Sequence, residues 1–220
     1  MSLDAVYEII ATTRHSEHQA ATYGDWLDCR LASLHPLVIL PGPDQRASLD
    51  HFVIGYIEMA PRMLFWIREC AEQAGLAPLF AAFLETAIGY FTTPRLPQIQ
   101  HTGIEGLLVK AYQAHRLIEE MLDQNRSLAR RIDCLDEATH ASLLVHTLIG
   151  EPFANELDQA CELTMATIMD LPSLRSINFS QRQNASLPES LARLRDDWQA
   201  LLEGNHIAFG IRAWISACDG

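Results

Sequence analysis

Two consecutive stretches of this chain carry almost no charge. In HFVIGYIEMAPRMLFWI, His51 to Ile67, the only formally charged side chains are Glu58 and Arg62; in LAPLFAAFLETAIGYF, Leu76 to Phe91, the only one is Glu85. Helices that are apolar on nearly all sides are normally covered on all sides. A chain with such a pair must set it at the centre of a larger bundle, or leave one face to close an oligomer interface or an apolar ligand cavity. Each uninterrupted apolar run is shorter than the roughly 20 residues a bilayer requires, so no membrane span is expected.

The period is helical on either side of this hairpin as well. Leu3, Val6, Ile10, Ala20, Leu27, Leu31 and Leu34 mark one long helix or two with a break, His15, Glu17, His18 and Gly24 interrupting the middle. Pro36, Pro41, Gly42 and Pro43 make His35 to Ala47 a loop. Ser48 is then in place to cap a helix that runs through Pro61, with a kink near Gly55 to Pro61, and stops at Gly75. A second apolar helix starts near Pro78 and ends before Pro94. Thr102 and Glu105 have capping-box spacing for the helix that follows, which frays near Asn125. Another helix is expected from Asp133 to Ile149, and one more between Pro152 and Pro172. The polar span from Ser173 to Ala185 reads as a surface loop. Ser186 and Glu189 repeat the capping box ahead of a stripe of Leu191, Leu194, Trp198 and Leu201, closed by Gly204, and Ile207 to Ile215 reads as a last short helix. No segment alternates convincingly as a strand. The expected fold is all-α: a single-domain antiparallel bundle of about seven or eight helices over residues 1–220, with the 48–91 hairpin at its centre.

Composition removes several functions. At 220 residues and 49% hydrophobic content the chain is long and apolar enough for a substantial core. A net charge of −12 with 16 Lys and Arg disfavours a nucleic-acid partner, which needs clustered cations. The start MSLDAVYEII lacks a basic segment followed by an apolar run, so a cytoplasmic protein is expected. Cysteines at 29, 70, 134, 161 and 218 are odd in number, scattered and without zinc-site spacing, and read as reduced thiols. Neither a phosphate-cradling glycine loop nor a GxSxG elbow is present, which disfavours nucleotide enzymes and hydrolases.

The candidate functional residues follow from the hairpin. If it lines a cavity, Tyr56, Phe65, Trp66, Phe80, Phe83 and Tyr90 are its wall candidates, joined by Tyr112 as a ligand contact. Buried carboxylates need partners. Arg62 stands four residues after Glu58, in the favourable order for a helical ion pair, whereas Glu85 has only apolar or small helical neighbours. In AYQAHRLIEE, Ala111 to Glu120, His115 falls at the edge of the apolar stripe, with Tyr112 and Glu119 on the same flank, and Glu120 can pair with Arg116. The i, i+4 spacing lets His115 and Glu119 share one ion, or lets the carboxylate orient the ring. Glu137 and His140 form an ExxH on the next helix. His15, Glu17 and His18 cluster early in the chain and read as a solvated face.

Two functional expectations result. The first is a non-enzymatic binding or interaction protein, homodimeric, with an apolar interface or hydrophobic-ligand pocket from residues 48–91 and no cofactor. The second is a metal-dependent oxidase-like bundle holding iron or manganese with Glu58, Glu85, His115, Glu119, Glu137 and His140. These six supply the ligand inventory of a di-iron carboxylate bundle, although such sites use Glu-x-x-His on two helices and only one is present here.

Overall fold

The computed structural model describes residues 2–17, 22–36, 38–40, 43–73, 75, 77–93, 103–124, 135–171 and 189–209. Among these residues lie eight helices: α1 (Leu3–Glu17), α2 (Thr22–Ala32), α3 (Gln45–Gln73), α4 (Ala77–Thr92), α5 (Gly103–Gln124), α6 (Leu135–Ile149), α7 (Phe153–Met169) and α8 (Glu189–Gly204). The all-α class read from the helical period is what the chain adopts. The capping-box residues Thr102 and Ser186, the loop from Ser173 to Ala185 and the chain beyond Phe209 lie outside the described residues.

Local chemistry accounts for most boundaries. Asp44, not Ser48, caps α3: its Oδ1 accepts the Ala47 backbone N–H at 3.0 Å. The helix then runs unbroken through Pro61, a ring buried in the core. Gly75 follows with φ at 66°. Gly150 ends α6 with φ at 86°, a conformation that suits glycine, and its N–H reaches the His146 carbonyl at 2.9 Å. Arg30 of α2 donates to the Ile149 carbonyl at 3.2 Å, bringing a cation to the negative end of α6.

The expected last helix is corrected as well. Ala208–Phe209 is a strand, β2, where the sequence suggested the start of a helix, and it pairs antiparallel with β1, Val38–Ile39, in the loop before α3. Two-residue strands are too short to show any alternation, so their pairing had no periodic signal.

The apolar hairpin α3–α4 is internal. α3 packs against α1, α2, α4, α5 and α8, and α4 against α1 and α5. Leu49, Phe52, Val53, Tyr56, Ile57 and Leu64 of α3 are closed off from solvent, as are Phe83, Ala87 and Phe91 of α4. Each large side chain so buried contributes about 1.5–3 kcal/mol. α5 shares the centre: it contacts α1, α3, α4, α6 and α7, and burial extends around most of its circumference. That helix carries Lys110, Arg116, Glu119 and Glu120 into the middle of the bundle, which makes its polar groups the ones to account for. α8 approaches α3 closely at Gly55, where a Cβ atom would come within 2.3 Å of Leu201 Cδ1. No described helix is long and apolar enough to cross a membrane.

Candidate functional site

Where α3, α5 and α8 meet, Tyr56, His115 and Trp198 form a closed aromatic cluster. The Tyr56 and His115 ring centroids are 4.4 Å apart, His115 and Trp198 5.2 Å, and Tyr56 and Trp198 5.9 Å. All three side chains are buried, at 0%, 2% and 0% exposure respectively. Phe52 extends the cluster one turn along α3, its ring 6.0 Å from that of Tyr56. The i, i+4 spacing of Phe52 and Tyr56 places both on one face of α3, and His115 reaches them from the apolar stripe of α5.

His115 Nε2 lies 3.1 Å from the Tyr56 carbonyl oxygen. A carbonyl only accepts, so Nε2 carries the proton and Nδ1 presents a lone pair. Burial, partly offset by that backbone hydrogen bond, lowers the His115 pKa to about 4, so the ring is neutral at physiological pH. Nδ1 has no hydrogen-bond partner among the described residues, and neither does the Trp198 indole nitrogen, a pure donor. A buried acceptor and a buried donor, both unsatisfied, therefore stand in adjoining rings.

A polar chain leaves this centre through Tyr56. Its hydroxyl is 3.2 Å from Ser142 Oγ on α6, and Ser142 donates to Glu119 Oε1 at 2.6 Å. Serine has one proton and commits it to the carboxylate, so the Tyr56 hydroxyl is the donor in the first link. Glu119 Oε2 is held by Arg116, which also donates to Glu120 at 3.0 Å and to Asp158 at 3.0 Å. Tyr112 donates to the same Asp158 oxygen at 2.6 Å, and His146 lies 3.5 Å from the other. One guanidinium thus organises three carboxylates from α5 and α7.

The pKa values reflect this geometry. Burial pushes the Glu119 carboxyl up, against the opposing pull of Ser142 and Arg116. Burial followed by the Glu119 charge raises the Tyr56 phenol, and burial followed by the Asp158 hydrogen bond raises Tyr112. Arg116 is driven upward: burial opposes its charge, but Glu119 and Asp158 outweigh the burial. Burial pushes the Cys161 thiol up to about 12.

The residues singled out in the sequence are distributed as follows. Tyr56 belongs to the aromatic centre and Tyr112 to the Asp158 network. Phe83 packs edge-on against Phe80 at 6.4 Å, Phe65 against Trp66 at 5.7 Å, and Tyr90 hydrogen-bonds Thr164 and Cys161 on α7. Phe65 stands at the protein surface. Of the six metal-ligand candidates, His115 and Glu119 occupy the same helix but turn to different partners. Glu85 is exposed on α4. Glu58 pairs with Arg14 of α1 rather than with Arg62, which instead reaches Asp197 of α8 at 3.3 Å. Helices flanking α3 supply both partners, and sequence spacing carries no information on that. His140 stacks on Phe209 at 5.0 Å, and Glu137 Oε2 is buried without a partner among the described residues. Among the described residues no group of three or more His, Cys, Asp and Glu side chains is arranged to hold a metal ion. His18, Cys134 and Cys218 lie outside the described residues.

Three participants were missed in the sequence: Trp198, Ser142 and Asp158. Trp198 had a usable signal, because an indole on an apolar stripe must bury an N–H that needs an acceptor. Ser142 and Asp158 act only through partners on other helices. Compared with known protein families, curated proteins and solved structures, the chain matches none.

Proposed function

We propose that the protein is a non-enzymatic binding protein that holds a small, mainly apolar molecule against Tyr56, His115 and Trp198, and that it works as a homodimer in the cytoplasm. The observation carrying this reading is the pair His115 Nδ1 and Trp198 Nε1, both without a partner among the described residues and carried on touching rings of the aromatic cluster. Each unsatisfied buried polar atom costs about 1–3 kcal/mol, and a ligand group that pairs with either one removes that cost. Small-molecule sites combine apolar walls with a few such polar groups.

The chemistry nearby favours binding over catalysis. At neutral pH a histidine held near pKa 4 is a weak base. The Ser142 hydroxyl is committed to Glu119, and the Cys161 thiol is far from its nucleophilic thiolate form. Cys29, Cys70 and Cys161 are free thiols, which suits a reducing compartment. Support for self-association is confined to one end of α3, where exposed Phe65 stands beside partly exposed Trp66.

Thermal denaturation with toluene and with 1-hexanol tests the binding reading. A saturable rise in Tm with either, reduced in Trp198→Phe, is expected; no rise with either overturns it. Light scattering on the wild type and Phe65→Glu tests the dimer. The wild type should be dimeric and the variant monomeric, and a monomeric wild type removes that part of the proposal.

A further inference from the structure

The outward line of α3 complements itself in one orientation, which gives the dimer a definite geometry. This step rests on the homodimer reading above and deepens it. From Glu58 to Gln73 the exposed and half-exposed side chains recur at helical spacing: Glu58, Arg62, Phe65, Trp66, Glu69 and Gln73. Met59, Ala60, Met63 and Leu64, on the other side of the same turns, are buried. Phe65 is left 36% exposed, with Arg68 over its ring at 5.3 Å. Tyr7 of α1, close enough to Arg62 to feel its charge, is 45% exposed. Arg62 therefore has exposed aromatic side chains near it on both helices.

In a two-fold dimer residue i meets j and j meets i, so the face must pair with itself. A parallel α3–α3 contact sets Glu58, Arg62 and Glu69 each against its own copy, three layers of like charge, which disfavours it. An antiparallel contact with its axis between Phe65 and Trp66 does the reverse. Positions 62 and 69 are equally far from that axis, as are 58 and 73. Arg62 then meets Glu69 of the second copy, twice by symmetry, and Glu58 meets the Gln73 amide, while the aromatic side chains of both copies close the centre. Arg62 reaches Asp197 through Nη1, which leaves the rest of its fork to a second carboxylate.

The size of the face is also adequate. The stretch from Glu58 to Gln73 is about 24 Å long, and α1 and α8 lie beside it, joined through Arg14–Glu58 and Arg62–Asp197. With neighbouring helix axes about 8–10 Å apart, the three-helix layer outlines roughly 600 Å², approaching the ~800 Å² that a stable interface takes from each partner. Glu58, Glu69 and Glu72 on this side, and the chain's net charge of −12, oppose an anionic membrane or a nucleic acid as the occupant.

We propose that two copies of this chain dock through an antiparallel α3–α3 contact whose two-fold axis passes between Phe65 and Trp66, with Arg62 of each copy paired to Glu69 of the other.

The test measures the dimer dissociation constant of the full chain by analytical ultracentrifugation. It compares the wild type, Arg62→Glu, Glu69→Arg, an equimolar mixture of these two, and the double variant Arg62→Glu/Glu69→Arg. Each single variant sets like charges against each other at both symmetric contacts, so its dimer should weaken roughly tenfold or more. In the mixture one chain carries acids at positions 62 and 69 and the other carries bases, so a mixed dimer should regain most of the wild-type affinity. The double variant exchanges the two charges and should regain it as well. A folding defect in a single variant cannot produce recovery on mixing, and the double variant decides the matter if either single one fails to fold. A wild-type dimer whose single variants associate as before, or with no recovery in either the mixture or the double variant, overturns this geometry while the dimer reading stands. A monomeric wild type overturns both.

Discussion

Tyr56 and His115 are joined twice, through ring contact at 4.4 Å and through the His115 Nε2–H donated to the Tyr56 carbonyl at 3.1 Å. The carbonyl belongs to a residue whose helix continues on past Pro61. Pro61 has no backbone N–H, so the regular helical partner of the Ile57 carbonyl is missing one turn further on. A side-chain donor from α5 therefore ties the two central helices together next to a weakened turn.

This arrangement predicts a specific pH dependence. His115 titrates near pH 4 in the folded chain against an ordinary value of 6.5. Between those values the unfolded chain holds the proton and the folded chain does not, so this group's contribution falls as pH drops from 6.5 to 4 and is constant above 6.5. The full effect is roughly 3 kcal/mol. Glu119, whose pKa is raised by burial, acts in the opposite sense above its usual range, so the wild-type curve is a composite. Comparison with His115→Gln isolates the histidine: urea denaturation at pH 7 and pH 4 should show the wild type losing more stability than the variant. Parallel losses would rule the assignment out.

The helical period, the loop prolines and the uncharged hairpin were all readable because each is a local pattern, repeated over many residues. The Arg116–Glu120 pair was readable for the same reason, being an i, i+4 contact on one helix. What sequence could not supply is the third dimension of the polar groups. In a string of letters Glu85 has no helical partner and Glu119 has His115, yet Glu85 faces solvent on α4 and Glu119 is enclosed between α5 and α6, where Ser142 and Arg116 hold it. Glu58 had an obvious neighbour in Arg62 and took Arg14 instead, because α1 lies beside α3. The cluster around His115 depends on Trp198, which is distant in sequence, and no periodicity encodes that meeting.

Ser142 is a single-atom bridge between the aromatic centre and the charged network. Ser142→Ala leaves the Tyr56 hydroxyl without its acceptor and Glu119 Oε1 without its donor, both in buried or nearly buried positions. The loss should be about 2 kcal/mol, which lowers Tm by roughly 4–8 °C in a chain of this size. The exposed Glu85→Ala should stay within about 0.5 kcal/mol of the wild type, as surface substitutions do. Calorimetry on the two variants checks both, and equal effects would contradict the placement.

Arg116 is the sole guanidinium in contact with Glu119, Glu120 and Asp158 among the described residues. Arg116→Ala leaves three carboxylates facing one another, partly shielded from water, at a cost of about 2–4 kcal/mol. Without the cation the Glu119 and Glu120 carboxyls, already raised by burial, rise further in the folded state, so the variant's stability should fall as pH increases from 5.5 to 7.5. Adding Glu119→Gln to that variant removes one charge and should recover part of the loss at the higher pH. Urea titrations of the single and double variants at both pH values measure this, and a pH-independent loss would show that packing, not charge, is what Arg116 contributes.

Gly55 sets how closely α8, and with it Trp198, approaches the centre. A methyl group there would stand 2.3 Å from Leu201 Cδ1, so Gly55→Ala forces the leucine to another rotamer or moves α8 outward. Alanine in a helix interior is otherwise favoured over glycine by about 1 kcal/mol. The two effects oppose, and Gly55→Ala alone should be near neutral or slightly destabilising. In a Leu201→Ala background the obstruction is gone and only the helix preference remains, so the same substitution should stabilise by about 1 kcal/mol. The double-mutant cycle reads the difference directly. A coupling energy near zero would mean that Leu201 turns aside freely and that α8 is not held at Gly55; a coupling of about 1 kcal/mol, with the Trp198 fluorescence shifted in Gly55→Ala alone, is the result this close approach predicts.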